Sequence, residues 1–235
     1  MSDDIMGIDE LAIYLQRDAR EVQKMANRGY LPGQKVSGEW RFHAVEINDW
    51  IANQIHAFTE QELVALESGG VKVLQKTKPG MIISSLLTEA TISVPLKGST
   101  KNSILKELVE VAEQSWHVYD PEAILNAIKQ REDDASTAMP GGVALPHPHR
   151  PLAKALGDDV MAFGRTYSPV PFGGSGGGMT DLFFLICCRD HRMHLQAMAR
   201  LSRFFLRPEF FDELRQLETP TEVYEYIRKT EEDLV

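Results

Sequence analysis

The chain has 235 residues, 43% of them hydrophobic, and a formal net charge of −9 at pH 7. That length can bury one large core or two modest ones without disulfide staples, and the acidic balance excludes a general nucleic-acid coat, whose affinity comes from Lys and Arg neutralising phosphates. No stretch reaches the roughly 18 consecutive apolar residues that a bilayer span needs, and the start, MSDDIMGIDELA, lacks the basic and apolar regions of an export signal, so a cytoplasmic protein without membrane insertion is expected.

In chain order, Asp9 is placed to cap a short helix, ELAIYLQ, with Leu11, Ala12 and Leu15 on one face. Asp18 is placed to cap a second, AREVQKMANR, with Val22, Met25 and Ala26 inward and Gly29 as its stop. YLPGQKVSGEWRF alternates as a small hairpin turning at Ser37-Gly38, and HAVEINDWIANQI returns to helical spacing through Val45, Ile47, Trp50 and Ile51. Two short helices followed by a β-wing predict a winged helix-turn-helix over residues 1–55. Up to Ile55 six Lys/Arg stand against nine Asp/Glu, so any DNA contact must be local.

The segments GIDELAIYL, REVQKMANRGYLPGQKVSGEWRF and INDWI together resemble the excisionase-type, MerR-like DNA-binding domain over about Gly7 to Ile51. The resemblance implies that the second helix enters the major groove and the wing touches the flanking backbone. Arg20, Gln23, Lys24 and Asn27 or Arg28 would then face DNA, with Lys35 and Arg41 on the wing near phosphates. Ala19 and Glu21 depart from the pattern, because such helices often carry polar or basic residues there and Glu21 would repel a phosphate. The alternative is a helix-turn-helix reused for protein contact. Trp40, Arg41 and the Gly-containing wing arrive with the helices as a set, which favours DNA.

A connector, residues 56–81, carries a capping box from Thr59 to Glu62 and a short helix with Leu63, Val64 and Leu66, stopped by Gly69-Gly70. It reads as a hinge, a contact for homodimerisation, or a linker helix resting on one domain. Residues 82–235 form the second domain. ISSLLTEATISVPL contains a strand; STKNSILKELVEVAEQS and DPEAILNAIKQREDD, the latter starting at Asp120-Pro121, are helices. VALPH, VMAFGRTY and DLFFLICC are strands, and HLQAMARLSRFFL and PTEVYEYIRKTEE are helices. Mixed elements predict an α/β (α+β) domain with a central mixed sheet flanked by helices. Cys187 and Cys188 are adjacent, a poor geometry for a disulfide, and close a strand on opposite faces, so they read as reduced core residues. GGSGGG, Gly173 to Gly178, lacks the GK[ST] of a P-loop and reads as a strand connector.

The chemistry gathers on histidines: His147 and His149 after VAL, and His191 and His194 where the helix after DLFFLICC begins. Imidazoles from such strand ends could bind Zn²⁺ or a similar metal, or one could act as a nucleophile with the others and a cation around a bound anion. Any single one could be an ordinary loop histidine. Against the metal, Pro148 sends its two neighbours in different directions, and HRMH lacks the general base of an HExxH motif.

REDDASTAMPGGVALPHPH followed by DLFFLICCRDHRMHLQAMARLSRFF resembles the enzyme IIA domain of the fructose/mannitol class of the bacterial sugar phosphotransferase system, over roughly Ile82 to Lys229. The resemblance implies that His147, directly after the Pro of the PH motif, accepts a phosphoryl group from the histidine-containing phosphocarrier protein. It further implies that Arg131 holds the phosphoryl oxygens, that His194 hydrogen-bonds the group, and that Ser136 and Thr137 add donors. Glu132 would orient Arg131 or be solvated. His149 and Arg150 depart from the pattern; Arg150 either supplements the anion site or belongs to a loop that restricts partner docking. His191 lies outside the motif and reads as a surface residue. No cofactor and no metal are implied.

The two resemblances in one chain define the expected function, a DNA-binding transcriptional regulator whose IIA-like domain is reversibly phosphorylated. A second reading is a IIA component relaying phosphate to a sugar transporter, its N-terminal unit a docking module. A third is a metal sensor built on His147, His149 and His194.

Overall fold

A computed structural model of the chain describes residues 5–68, 81–173 and 178–234. The N-terminal unit runs β1 (Ile5–Met6), α1 (Ile8–Leu15), α2 (Ala19–Asn27), β2 (Gln34–Val36), β3 (Glu39–His43) and α3 (Ala44–Gln54). The Asp18 carboxylate accepts the Arg20 N–H at 2.8 Å and caps α2. Asp9 does not cap α1. Gly7 holds that position in extended conformation, and its N–H donates to the Glu10 carboxylate at 2.8 Å. The reason is the unforeseen strand β1, whose pairing of Met6 with Phe42 delivers the chain to the helix one turn before Leu11.

β2 and β3 pair antiparallel across Ser37 and Gly38, whose φ values of 54° and 89° supply the left-handed pair that a two-residue hairpin needs. Leu11, Leu15, Val22, Phe42, Ile47 and Ile51 are buried at the centre of this unit. Met25, Val45 and Trp50, expected inside, are half-buried.

The connector forms α4 (Glu60–Ser68), with the Thr59 N–H and hydroxyl donating to Glu62 at 2.8 and 2.9 Å. Leu63 and Leu66 are buried while Val64 is exposed. Gly69 and Gly70 lie outside the described residues. α4 rests on both parts of the chain. Arg17 of the N-terminal unit pairs with Glu62, and Glu67 pairs with Arg200 and, at 2.8 Å, with Arg203 of the second domain.

The second domain runs α5 (Ile83–Leu86), β4 (Ile92–Leu96), α6 (Lys101–Glu113), α7 (Pro121–Asp134), β5 (Ala138–Met139), β6 (Val143–Ala144), β7 (Val160–Pro171), β8 (Met179–Cys187), α8 (His191–Phe205), α9 (Phe210–Gln216) and α10 (Pro220–Glu232). Its five strands lie in the order β4-β7-β8-β6-β5, with β4 parallel to β7, β7 antiparallel to β8, β8 parallel to β6, and β6 antiparallel to β5. Two apolar clusters form on this sheet. One includes Ile104, Leu108, Ile124, Ile128 and Cys187; the other includes Cys188 and residues of α8, α9 and α10, and continues into the N-terminal unit through Leu63, Ile55 and Ile51. The adjacent cysteines therefore serve the two different clusters.

α8 starts three residues earlier than its apolar spacing indicates, because Asp190 accepts the Arg192 and Met193 N–H groups, both at 2.9 Å. α9 was not foreseen from the sequence; it places Phe210 and Leu214 in the core. Of GGSGGG, the four residues 174–177 lie outside the described residues.

Candidate functional site

Three elements deliver the side chains of the site. The Gly141-Gly142 turn, with φ values of 93° and 79°, returns β5 into β6, and the chain continues past Ala144 with Leu145 N–H donating to Thr137 at 3.2 Å. Ile186 of β8 then donates to the Pro146 carbonyl at 3.0 Å. The residue that follows, His147, is 3% exposed. Its Nδ1 lies 2.7 Å from the Leu145 carbonyl, a group that can only accept, so Nδ1 carries the proton and, in the neutral ring, Nε2 carries the lone pair. Burial, His194 and Arg131 push the His147 pKa well below its ordinary value. The neutral ring is thus the dominant form throughout the physiological range.

His194 stands on the second turn of α8, its ring centroid 4.9 Å from that of His147. Burial, followed by His191 and Arg131, lowers its pKa to about 4. Arg131, on the last turn of α7, is 2% exposed and lines a cavity of about 220 Å³ with His147, Ser136 and Thr137. Its Nη1 donates to the Ala135 carbonyl at 2.6 Å, while its Nε has no hydrogen-bond partner. A fixed guanidinium with a spare donor beside a neutral imidazole can receive a tetrahedral anion.

Glu132 behaves differently from either expectation. It is 2% exposed, and its carboxylate accepts the Thr137 N–H at 3.0 Å and the Thr137 hydroxyl at 2.6 Å, with Lys101 Nζ 3.5 Å away. Thr137 lines the cavity with its hydroxyl proton committed to Glu132. Ser136 Oγ accepts the Ala138 N–H at 3.2 Å, which leaves its own proton available.

His147 and His194 stand ring to ring, and His149, His191 and His194 line a second, smaller pocket. His149 places Nδ1 2.9 Å from Asp49 and Nε2 2.8 Å from Asp134. His191, the first residue of α8, meets the Asn48 amide at 2.7 Å through Nδ1. Among the described residues no group of three potential ligands is placed to hold a metal ion. Arg150 is exposed and does not line the cavity.

The cavity has a third wall that motif reasoning missed. Ala52, Asn53 and His56, at the end of α3 and just beyond it, also line it. Asn53 Oδ1 accepts from Arg131 Nη2 at 3.0 Å, and Asp49 lies 3.7 Å from Arg131 Nε. Asp49 and Asn53 are four apart and share one helix face, a signal that gives no hint of the partner.

On α2, Arg20, Gln23, Lys24 and Asn27 follow the spacing of a single face and are all exposed, as is Arg28 beyond the helix end. Asn27 Oδ1 accepts from the Trp40 indole at 3.2 Å and so braces the wing. Lys35 Nζ sits 5.2 Å over the Trp40 ring, and Arg41 pairs with Glu39 at 2.6 Å. Glu21 is paired with Arg17 at 2.6 Å, which offsets its charge on this surface.

Fold and site define a class: a winged helix-turn-helix unit joined to a mixed-sheet α/β domain that buries a histidine against an arginine. The chain belongs to the family described as "Phosphoenolpyruvate-dependent sugar phosphotransferase system, EIIA 2", which matches residues 85–230, and a helix-turn-helix domain family matches residues 5–55. It is 28% identical over 151 residues to the "PTS system fructose-specific EIIABC component" of Bacillus subtilis, a match covering 63% of this chain and 23% of that longer protein. It is 30% identical over 147 residues to the "Nitrogen regulatory protein" of Bradyrhizobium diazoefficiens, covering 61% of this chain and 93% of that one. The crystal structure of nitrogen regulatory protein IIA-Ntr from Neisseria meningitidis shares the fold with a TM-score of 0.56 at 22% identity, covering 62% of this chain and 98% of the other.

Proposed function

We propose that the chain is a cytoplasmic DNA-binding transcriptional regulator whose IIA domain is reversibly phosphorylated on His147 by the histidine-containing phosphocarrier protein. The observation that carries this reading is the His147 ring itself: neutral, its Nδ1–H held by the Leu145 carbonyl, beside a buried guanidinium with an unused donor. In the transfer, the Nε2 lone pair attacks phosphorus, the N–P bond of the carrier's phosphohistidine breaks, and that electron pair stays on the carrier's ring nitrogen. The Nδ1 proton stays on His147, where the Leu145 carbonyl supports the positive charge that the phosphorylated ring carries. Arg131 neutralises the phosphoryl oxygens, so the protein's contribution is positioning and charge.

Support for the DNA-binding half comes from the helix-turn-helix match and from the exposed polar face of α2 next to the wing. The proposal is tested by incubation with phosphoenolpyruvate and the general phosphotransferase proteins. Wild type takes up label, His147→Ala takes up none, and Arg131→Ala slows uptake by about a hundredfold or more, the scale of losing one charge-stabilising donor. Unlabelled wild type, or His147→Ala labelled as fast as wild type, contradicts the assignment.

A further inference from the structure

The polar contacts of α3 with the second domain converge on the His147 site. Asn48 meets His191 at 2.7 Å, Asp49 meets His149 at 2.9 Å and Arg131 at 3.7 Å, and Asn53 meets Arg131 at 3.0 Å. Ala52, Asn53 and His56 wall the cavity that contains His147, which is itself 3% exposed. That wall narrows the approach of a partner's phosphohistidine to His147 on the α3 side.

The contacts are also of a kind that a phosphoryl group would outcompete. Arg131 now spends Nη2 on a neutral amide oxygen and faces one carboxylate at long range with its Nε, whereas a phosphoryl dianion offers three strong acceptors to the same fork. The dianion would also meet the like charge of the Asp49 carboxylate, which lies 3.7 Å from the same guanidinium.

We propose that α3 is the internal occupant of the phosphoryl-acceptor site: Asp49 and Asn53 hold the guanidinium that a phosphoryl group on His147 requires, so phosphorylation and docking of the DNA-binding unit exclude one another. This rests on His147 as acceptor and adds the partner that its site binds when unmodified. α4 has a charged anchor on the second domain away from the His147 cavity, since Glu67 is paired with Arg200 and Arg203. The movement is therefore placed between α3 and α4, around Phe58 and Thr59.

The test uses the full chain with spin labels on Glu46→Cys of α3 and Asp133→Cys of α7, both exposed, Cys187 and Cys188 being buried. Phosphorylation by the general phosphotransferase proteins is expected to lengthen the distance between labels. Asp49→Asn with Asn53→Ala is expected to lengthen it without phosphorylation and to speed labelling of His147 about tenfold, the gain expected if the open arrangement is about a tenth populated in wild type. Label on His147 with an unchanged distance distribution overturns the inference and leaves the acceptor reading standing. Absence of label on both the wild type and the double variant overturns the acceptor reading, and the inference with it.

Discussion

Burying a neutral histidine makes stability depend on pH in a fixed direction. His147 and His194 have folded pKa values below their ordinary ones, His194 at about 4. The unfolded chain therefore binds more protons below about pH 6.5, and stability falls as pH drops from there towards 4, by about 1.4 kcal/mol per pH unit per histidine. Urea unfolding from pH 7 to 5 should show this slope, and His194→Gln should flatten it. An unchanged slope in the variant would mean that His194 is already protonated in the fold. Glu132→Ala should cost about 3 kcal/mol in the same experiment, since it strips the Thr137 N–H and hydroxyl of a buried charged acceptor. His147, Arg131 and His194 sit in short motifs at recognisable spacing, and the fold places His147 beside His194 and in one cavity with Arg131. Asp49 and Asn53 were not legible in the sequence, because their partners His149 and Arg131 lie 100 and 78 residues away, and nothing local distinguishes them from solvated helix residues. The role of Glu132 was hidden for a related reason: its partner Thr137 is near in sequence, but the burial that makes the contact matter is a tertiary fact.

Elements were read well where a cap or turn residue accompanied the periodicity. Asp18 before α2, Thr59 with Glu62 before α4, Asp120-Pro121 before α7 and Ser37-Gly38 in the wing each mark a boundary by local chemistry. The apolar stripe of α8 begins at Leu195, whereas Asp190 caps the helix five residues earlier. That cap positions His194, so Asp190→Ala should cost about 1 kcal/mol and slow labelling of His147, whereas a cap that stabilises without positioning would leave the labelling rate unchanged. The α2 face gives the prediction at this scale for DNA. Arg20→Ala and Lys24→Ala should each weaken binding and, where the lost contact is to a phosphate, lower the salt-dependence slope by about one. Binding titrations against salt read this directly, and an unchanged slope and affinity in both variants would move the DNA surface elsewhere.

At the scale of the whole molecule, the sequence suggested two domains and a linker, and the structure describes two parts with a continuous apolar cluster and a shared ionic anchor. Glu231 is fully buried, accepts the Ile82, Ile83 and Ser84 N–H groups at 2.7 to 2.9 Å, and pairs with Arg200 at 3.2 Å, which also holds Glu67 of α4. Arg200→Ala leaves the buried Glu231 carboxylate without its cation and leaves Glu67 with Arg203 alone, and a loss of about 3–5 kcal/mol is expected in chemical unfolding. This arrangement was illegible because pairing across 31 and 133 residues leaves no periodic trace. It holds the helix-turn-helix unit within reach of the His147 cavity, where the proposed DNA binding and phosphorylation can be coupled. The central claim is that one chain couples the two, and the direct measurement is affinity for a DNA site selected from random sequence, before and after quantitative phosphorylation. A change of about fivefold or more is expected in wild type and none in His147→Ala. Equal affinities for phosphorylated and unphosphorylated wild type would contradict the claim.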